Sequence, residues 1–516
     1  MAAIIVDFQH FFFFIFFFFF FLLLFSRSIF ALKNPKKSPN CVRNLPPSPR
    51  ALPFIGHLHL LVSVPWFRSL RNLSSKYGPL LYLRTFDFEI ALVSSASIAY
   101  KVFREQDLNF SSREALAVEN SLLFGSYGVA AAPYGGYCRF MRKLMLSELL
   151  GRQALERSRS LRAEEMERFR CNLWEKARRN EAVDLGMETT RLANDSICKM
   201  IMGKKCSEEA EQVRDSIAKS YALTKKVYMV SSLHKTLRKL GIWLFGKEIK
   251  EISSRYDELF EKILREHEEN PDRGQKDMMD VLLETCQDET AEYKITRNHI
   301  KAFFVDLFLG GTDTSAQATQ WTMAELINHP NILKRLREEI DSVVGTKRGL
   351  EETDLSKLPY LQAVIKEGLR LHPPAPILSR KSKEDCKIGE FVVPRDATLI
   401  VNVYAVMRDP GSWEDPDVFK PERFLVSEEE EDNDKEKAMK YIPFGGGRRG
   451  CPGANLGYVF IGMAIGIMVQ CFDWRISGGE KVNTEEAGDI NLAMAHPLRC
   501  IPVVRFDSLP LTKSVH

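Results

Sequence analysis

The sequence predicts a mainly α-helical body with small β-sheets, tethered behind an apolar N-terminal segment. Three observations carry this. Apolar residues recur at helical spacing through most of the stretch from about 137 to 372. Short aliphatic and β-branched runs lie at 80–83, 90–93, 387–391 and 398–403. Fifteen consecutive apolar residues, eleven of them Phe, fill 11–25. The composition agrees. Of 516 residues, 45% are hydrophobic and 27% charged, which excludes a disordered chain, a collagen and a polytopic membrane protein. Lys+Arg is 72 against Asp+Glu 68, a net charge of +4, and this balance gives no support for nucleic acid as a partner. The ten Cys form no CxxC pair, so a reducing compartment is expected.

In chain order, residues 1–32 read as a single-span membrane anchor. The Phe-rich run would reach about 22 Å as a helix, short of a hydrocarbon core of about 30 Å. A snorkelling Arg27 lets residues 29–32 extend it. A cleaved secretory signal is the weaker reading, because no basic segment precedes the run and no small-x-small site follows it. Arg27, Lys33, Lys36, Lys37 and Arg43 follow the run, which places the remaining chain in the cytosol. Residues 33–56 form a basic, proline-rich hinge ending in PPSPRALPFIG, and 57–516 form the body. Within the body, helices are expected over 144–150, 161–177, 253–269 and 330–343, the last opening on a Pro. The run 454–469 is apolar all round and reads as a buried helix. The acidic run 428–434 reads as a solvated loop.

The chemistry concentrates in 443–453, PFGGGRRGCPG. Its glycines allow positive φ and close backbone approach to a large flat group. Backbone N–H groups, two arginines and the N-terminus of the following helix all favour a thiolate at Cys451. A phosphate loop is excluded, because no Gly-Lys-Ser/Thr follows and the Cys would have no role. Phe444-x-x-Gly447-x-Arg449-x-Cys451-x-Gly453 resembles the haem-binding signature of the cytochrome P-450 superfamily. The resemblance implies the cytochrome P-450 fold, haem b, and Cys451 as the axial thiolate of its iron.

Further motifs follow in that family's order. Glu367-x-x-Arg370 has the spacing of a helical ion pair. With Arg423 of Pro421–Phe424, the resemblance implies a buried Glu367–Arg370–Arg423 network. Gly310–Ser315 resembles the oxygen-activation segment of a long helix. Its two glycines cost roughly 1 kcal/mol each against Ala. The resemblance explains them as room for dioxygen and a local opening of the helix, with Phe303, Leu307, Gly310, Gly311 and Thr314 on one face. It makes Thr314 a hydrogen-bond partner of bound dioxygen and Asp313 a proton relay. It makes Arg142, Arg449 and Arg380 anchors of the haem propionates. Cys138 stands where the family has Trp, so an indole N–H anchor is missing.

Electrons would come from NADPH through a flavoprotein reductase. The reductase would dock beside Arg139, Lys143, Lys437, Lys440 and Arg448. The implied protein is a microsomal plant haem-thiolate monooxygenase of the endoplasmic reticulum membrane, acting on O2 and a lipophilic substrate. Family analogy places substrate contacts at 116–129, 303–314, 375–378 and 492–494, mostly apolar. Residues 493–498 and the hinge resemble a plant branch adjoining the flavone and isoflavone synthases, whose members oxidise terpenoids, including friedelin-type triterpenes. Hydroxylation of a terpenoid methyl or methylene is therefore expected, with oxidation onward to a carboxylic acid if the product rebinds. The alternatives are a flavonoid-oxidising monooxygenase, a haem-thiolate isomerase, and a haem-binding protein without turnover.

Overall fold

The computed structural model describes residues 44–506, apart from 54, 62–64, 87, 114–121, 123–124, 126, 204–206, 230–244, 270–276, 426–438, 477–480 and 489–490. The membrane anchor, the acidic run and Lys437 lie outside the described residues, as does most of 116–129. The architecture is mainly helical with small sheets. Its axis is the helix Arg297–Asn328, here the distal helix. At 1.5 Å per residue this helix is about 48 Å long.

Its two halves belong to different cores. Phe303, Phe304 and Phe308 pack with Ile197, Tyr256, Phe260 and Met279 from the helices Leu185–Met202, Gly246–Glu269 and Met278–Gln287. Met323, Ala324 and Leu326 pack with Leu361, Ile365, Ile465 and Met468 from the helices Pro359–Leu371 and Ala454–Cys471. The second of these, here the cysteine helix, is apolar on every side because it is buried.

The main sheet has four strands, in the order Leu80–Thr85, Phe88–Val93, Thr398–Asn402, Ile377–Lys381. The first pair is an antiparallel hairpin with Leu80 opposite Val93. Leu92 then pairs in parallel with Ile400, and Leu378 antiparallel with Val401. All five residues of Thr398–Asn402 are buried, as a central strand requires.

Differences from the sequence reading have local causes. The helix expected over 144–150 is the end of Gly136–Met145 followed by one π-helical turn, Leu146–Leu150. The strand expected over 387–391 is a hairpin, Cys386–Ile388 against Phe391–Val393, turning through Gly389 at φ +63°. The described end of the proline-rich stretch is docked on the body. Pro46 and Pro49 are buried, and the Tyr82 N–H donates to Pro47 O at 2.9 Å. His57 accepts from the Arg84 N–H at 2.8 Å, and its other ring nitrogen lies 2.9 Å from Pro49 O.

Candidate active site

Cys451 sits between a one-turn 3-10 helix, Gly447–Arg449, and the start of the cysteine helix at Ala454. The loop is closed by its own backbone: the Cys451 N–H donates to Phe444 O and the Gly450 N–H to Gly447 O, both at 2.9 Å. Gly447 has φ +66°, and a Cβ there would fall 2.2 Å from Asp107 Oδ1. That carboxylate accepts from the Arg448 backbone and from Arg448 Nη1 at 2.8 Å. A Cβ at Gly446 would press on Phe103 at 3.0 Å. Gly447 thus takes the positive φ the sequence suggests, and both glycines also serve contact with the 101–107 segment, which it does not. Gly453 is otherwise placed: a Cβ there would meet only the Cys451 sulfur, at 3.8 Å. Burial pushes the Cys451 thiol up, while the Gly453 N–H and the charges of Arg142 and Arg113 pull it down. The Cys451 side chain is nonetheless exposed, so the sulfur opens onto a space rather than packed protein.

Four guanidinium groups gather nearby. Arg142 Nη2 donates to Gly450 O at 2.8 Å. Arg449 is buried and donates to Ser111 O at 2.7 Å, Val129 O at 3.0 Å and Ala132 O. Arg113 Nη1 donates to Ala130 O at 3.0 Å. Arg380 is 2% exposed and lies over the Phe103 ring. Burial and the charges of Arg113, Arg449 and Arg142 push Arg380 down to about 9, and Asp107 opposes them. Such a cluster calls for a buried dianion.

The distal helix supplies the opposite wall. A Cβ at Gly310 meets nothing within 4 Å, so this glycine opens a space. A Cβ at Gly311 would strike Ile197 Cδ1 at 2.6 Å. Gly311 therefore serves contact with a neighbouring helix, and one glycine of the pair provides room. The expected local opening is not seen: the helix runs unbroken. Instead the Thr314 hydroxyl donates to Gly310 O at 2.6 Å, and the Tyr221 hydroxyl donates to Leu309 O. Asp313 Oδ2 accepts from Gln317 Nε2 at 2.6 Å and Asn491 Nδ2 at 3.0 Å. Burial raises its carboxyl above the ordinary value, and the Asn491 bond opposes this.

A family model described as Cytochrome P-450 matches residues 46–500. The chain belongs to the cytochrome P-450 family. It is 56% identical over 484 residues to cytochrome P-450 705A22 of Arabidopsis thaliana, covering 92% of this chain and 93% of the relative. It is 38% identical over 483 residues to 3,9-dihydroxypterocarpan 6A-monooxygenase of Glycine max, covering 91% and 94%. Among solved structures, a zebrafish cytochrome P-450 with progesterone superposes with a TM-score of 0.73 at 25% identity, over 86% of this chain and all of that one. This cytochrome P-450 is thus a haem-thiolate oxidoreductase of the monooxygenase type.

The residues present fit haem b. Cys451 would present its sulfur to the iron, and Arg142, Arg380 and Arg449 would stand beside the propionates. When bound, haem supplies dioxygen activation and insertion of one oxygen atom. Around it, Thr314 would hold and pass a proton at Oγ1, and Asp313, whose carboxyl burial raises above its ordinary value, would relay one. Removing that hydroxyl should leave haem in place and waste the electrons. Thr314→Ala is expected to keep the reduced carbon monoxide spectrum and lose about 100-fold in product formation. NADPH consumption should then appear as hydrogen peroxide, and full coupling in this variant would remove Thr314 from the relay.

Other expected residues fall elsewhere. Phe303 and Leu492 are fully buried, the first in the aromatic core and the second against Phe67 and Trp321. Neither borders an open space. Cys138 is also fully buried, near Arg449. An indole at this position would have to displace the neighbours that leave Cys138 no exposed surface. Cys138→Trp is therefore expected to destabilise the protein by about 1–3 kcal/mol through overpacking. Loss of the Soret band at a lower temperature would show it, and slower haem loss would contradict it.

Sequence reasoning missed Asp107, Arg113, Ser111 and Asp306. They bond to groups between 17 and 341 residues away in the chain.

Proposed function

We propose that this cytochrome P-450 hydroxylates a terpenoid, a triterpene, at a methyl or methylene. The enzyme is held in the endoplasmic reticulum membrane by residues 1–32, with the catalytic body in the cytosol, and draws electrons from an NADPH-dependent flavoprotein reductase. One observation carries the substrate class. Three polar side chains of the distal helix that flank Gly310 already have partners within the chain. Thr314 bonds to Gly310, Asp313 to Gln317 and Asn491, and Asp306 to Ala130. A substrate rich in hydroxyls would lose roughly 1–3 kcal/mol for each one left unpaired. The remaining part-buried contact positions, including Leu307, Ala375, Leu378 and Met494, are apolar. Burial at about 25 cal/mol per Å² then suffices for a large hydrocarbon skeleton.

The relative named for a pterocarpan supports a second reading, oxidation of an isoflavonoid. The test is turnover by microsomes with reductase of a triterpene panel and a flavanone and pterocarpan panel. Triterpene products support the proposal. Flavonoid products with none from triterpenes would replace it with the second reading and leave the monooxygenase intact.

A further inference from the structure

We infer that Asp306 is a positioning residue: its carboxylate holds the segment 128–132 against the distal helix, and through that segment sets the arginines beside the Cys451 loop. Asp306 lies one helical turn before Gly310 and two before Thr314. Its Oδ2 accepts the Ala130 N–H at 2.9 Å, and the Val129 N–H is also directed to the carboxylate. Gly128 allows this approach, since a Cβ there would lie 2.9 Å and 3.0 Å from the two carboxylate oxygens.

The same segment turns its carbonyls the other way. Val129 O and Ala132 O accept from Arg449, and Ala130 O accepts from Arg113 at 3.0 Å. The segment closes on itself through the Ala132 N–H and Gly128 O at 2.9 Å. Its donors thus bind an acid of the distal helix and its acceptors bind two arginines of the cluster near Cys451. One short strap joins the two walls of the site.

The fold does not benefit from this acid being ionised. Burial raises the Asp306 carboxyl to about 6, opposed by the Ala130 N–H, Arg113 and the Val129 N–H. A carboxyl raised in the folded state binds its proton more tightly there. The stability it contributes is therefore full at low pH and is lost as pH rises through about 4 to 6. At neutral pH the charge works against stability while holding the strap. Among the described residues, Arg113 and Tyr137 of the helix Gly136–Met145 face it electrostatically. His299 lies against the Tyr137 ring, and burial lowers its pKa, so pH alone does not isolate Asp306.

A double-mutant cycle on the full-length chain in microsomes isolates it, with clotrimazole as the probe. Its dissociation constant is read from the Soret shift, and stability from the temperature at which the Soret band is lost. Gly128→Ala is expected to weaken clotrimazole binding about tenfold, the scale of one charge-assisted hydrogen bond. In an Asp306→Ala background the same change should have little further effect, because the clash is with that carboxylate. Asp306→Asn at pH 7.5 should bind clotrimazole more weakly than the wild type does, with no loss of thermal stability. An equal Gly128→Ala penalty in both backgrounds would overturn the assignment. So would an Asp306→Asn variant that binds like wild type at every pH. Should Asp306→Ala not accumulate, Asp306→Ser serves as the background, because it too removes the atoms that Gly128→Ala would strike.

Discussion

Cys451→Ala is expected to abolish the thiolate-type absorption band of the reduced carbon monoxide complex, and all monooxygenation with it. The substitution removes a sulfur that opens onto free space, so it creates no packing defect. The loop's closing bonds, Cys451 N–H to Phe444 O and Gly450 N–H to Gly447 O, are backbone bonds and survive it. Arg113, Arg142, Arg380 and Arg449 also remain, so the variant should fold and keep part of its haem. Cys138→Ser is the matched control, because that thiol is fully buried and the band should persist. An unchanged band in Cys451→Ala would require another ligand and would undo the assignment of the site.

Arg370→Ala is expected to prevent accumulation of holoprotein. Both members of the Glu367–Arg370 pair are 0% exposed, and they are joined by two bonds of 2.7 and 2.9 Å. Arg370 also donates to Met407 O, Pro416 O and Val418 O. Arg423 and the Lys420 N–H bond to Glu367 from the same meander. The variant would leave a buried carboxylate short of a partner and take the donor from Met407 O and Pro416 O, while Val418 O would keep Arg423. Breaking such a pair costs about 3–5 kcal/mol, a large share of a total stability of about 5–15 kcal/mol. Arg370→Lys should not rescue it, since one ammonium cannot span the same acceptors. Arg335→Ala, which removes a half-exposed partner of Glu422, should cost less than about 1 kcal/mol. Soret loss on heating measures all three.

The parts legible in sequence are those whose meaning is local. The cysteine loop carries its thiolate, glycines and arginines within one stretch. Pro330 marks the first residue of a helix that runs to Val343, as expected. The buried Glu367–Arg370–Arg423 network follows from two short motifs. What could not be read depends on what lies opposite a residue. Phe303 shares a helix with Gly310, yet its ring meets Phe304 and the core rather than an open space. Gly310 and Gly311 are adjacent and chemically identical, but only the structure shows that Ile197 faces the second. Asp306 and Asp107 act on backbone groups brought near by the fold, so no periodicity marks them.

The parallel pairing of Phe88–Val93 with Thr398–Asn402 has a consequence for synthesis. The hairpin 80–93 leaves the ribosome early, but its partner strand follows only after some three hundred residues. At about 5–20 residues per second that delay is on the order of tens of seconds. Throughout it, Ile90–Val93 presents an apolar edge with unpaired backbone groups, the form of strand most prone to pairing with the wrong chain. Nascent chains released before residue 398 should therefore depend on chaperones for solubility, whereas the hairpin in the finished protein does not.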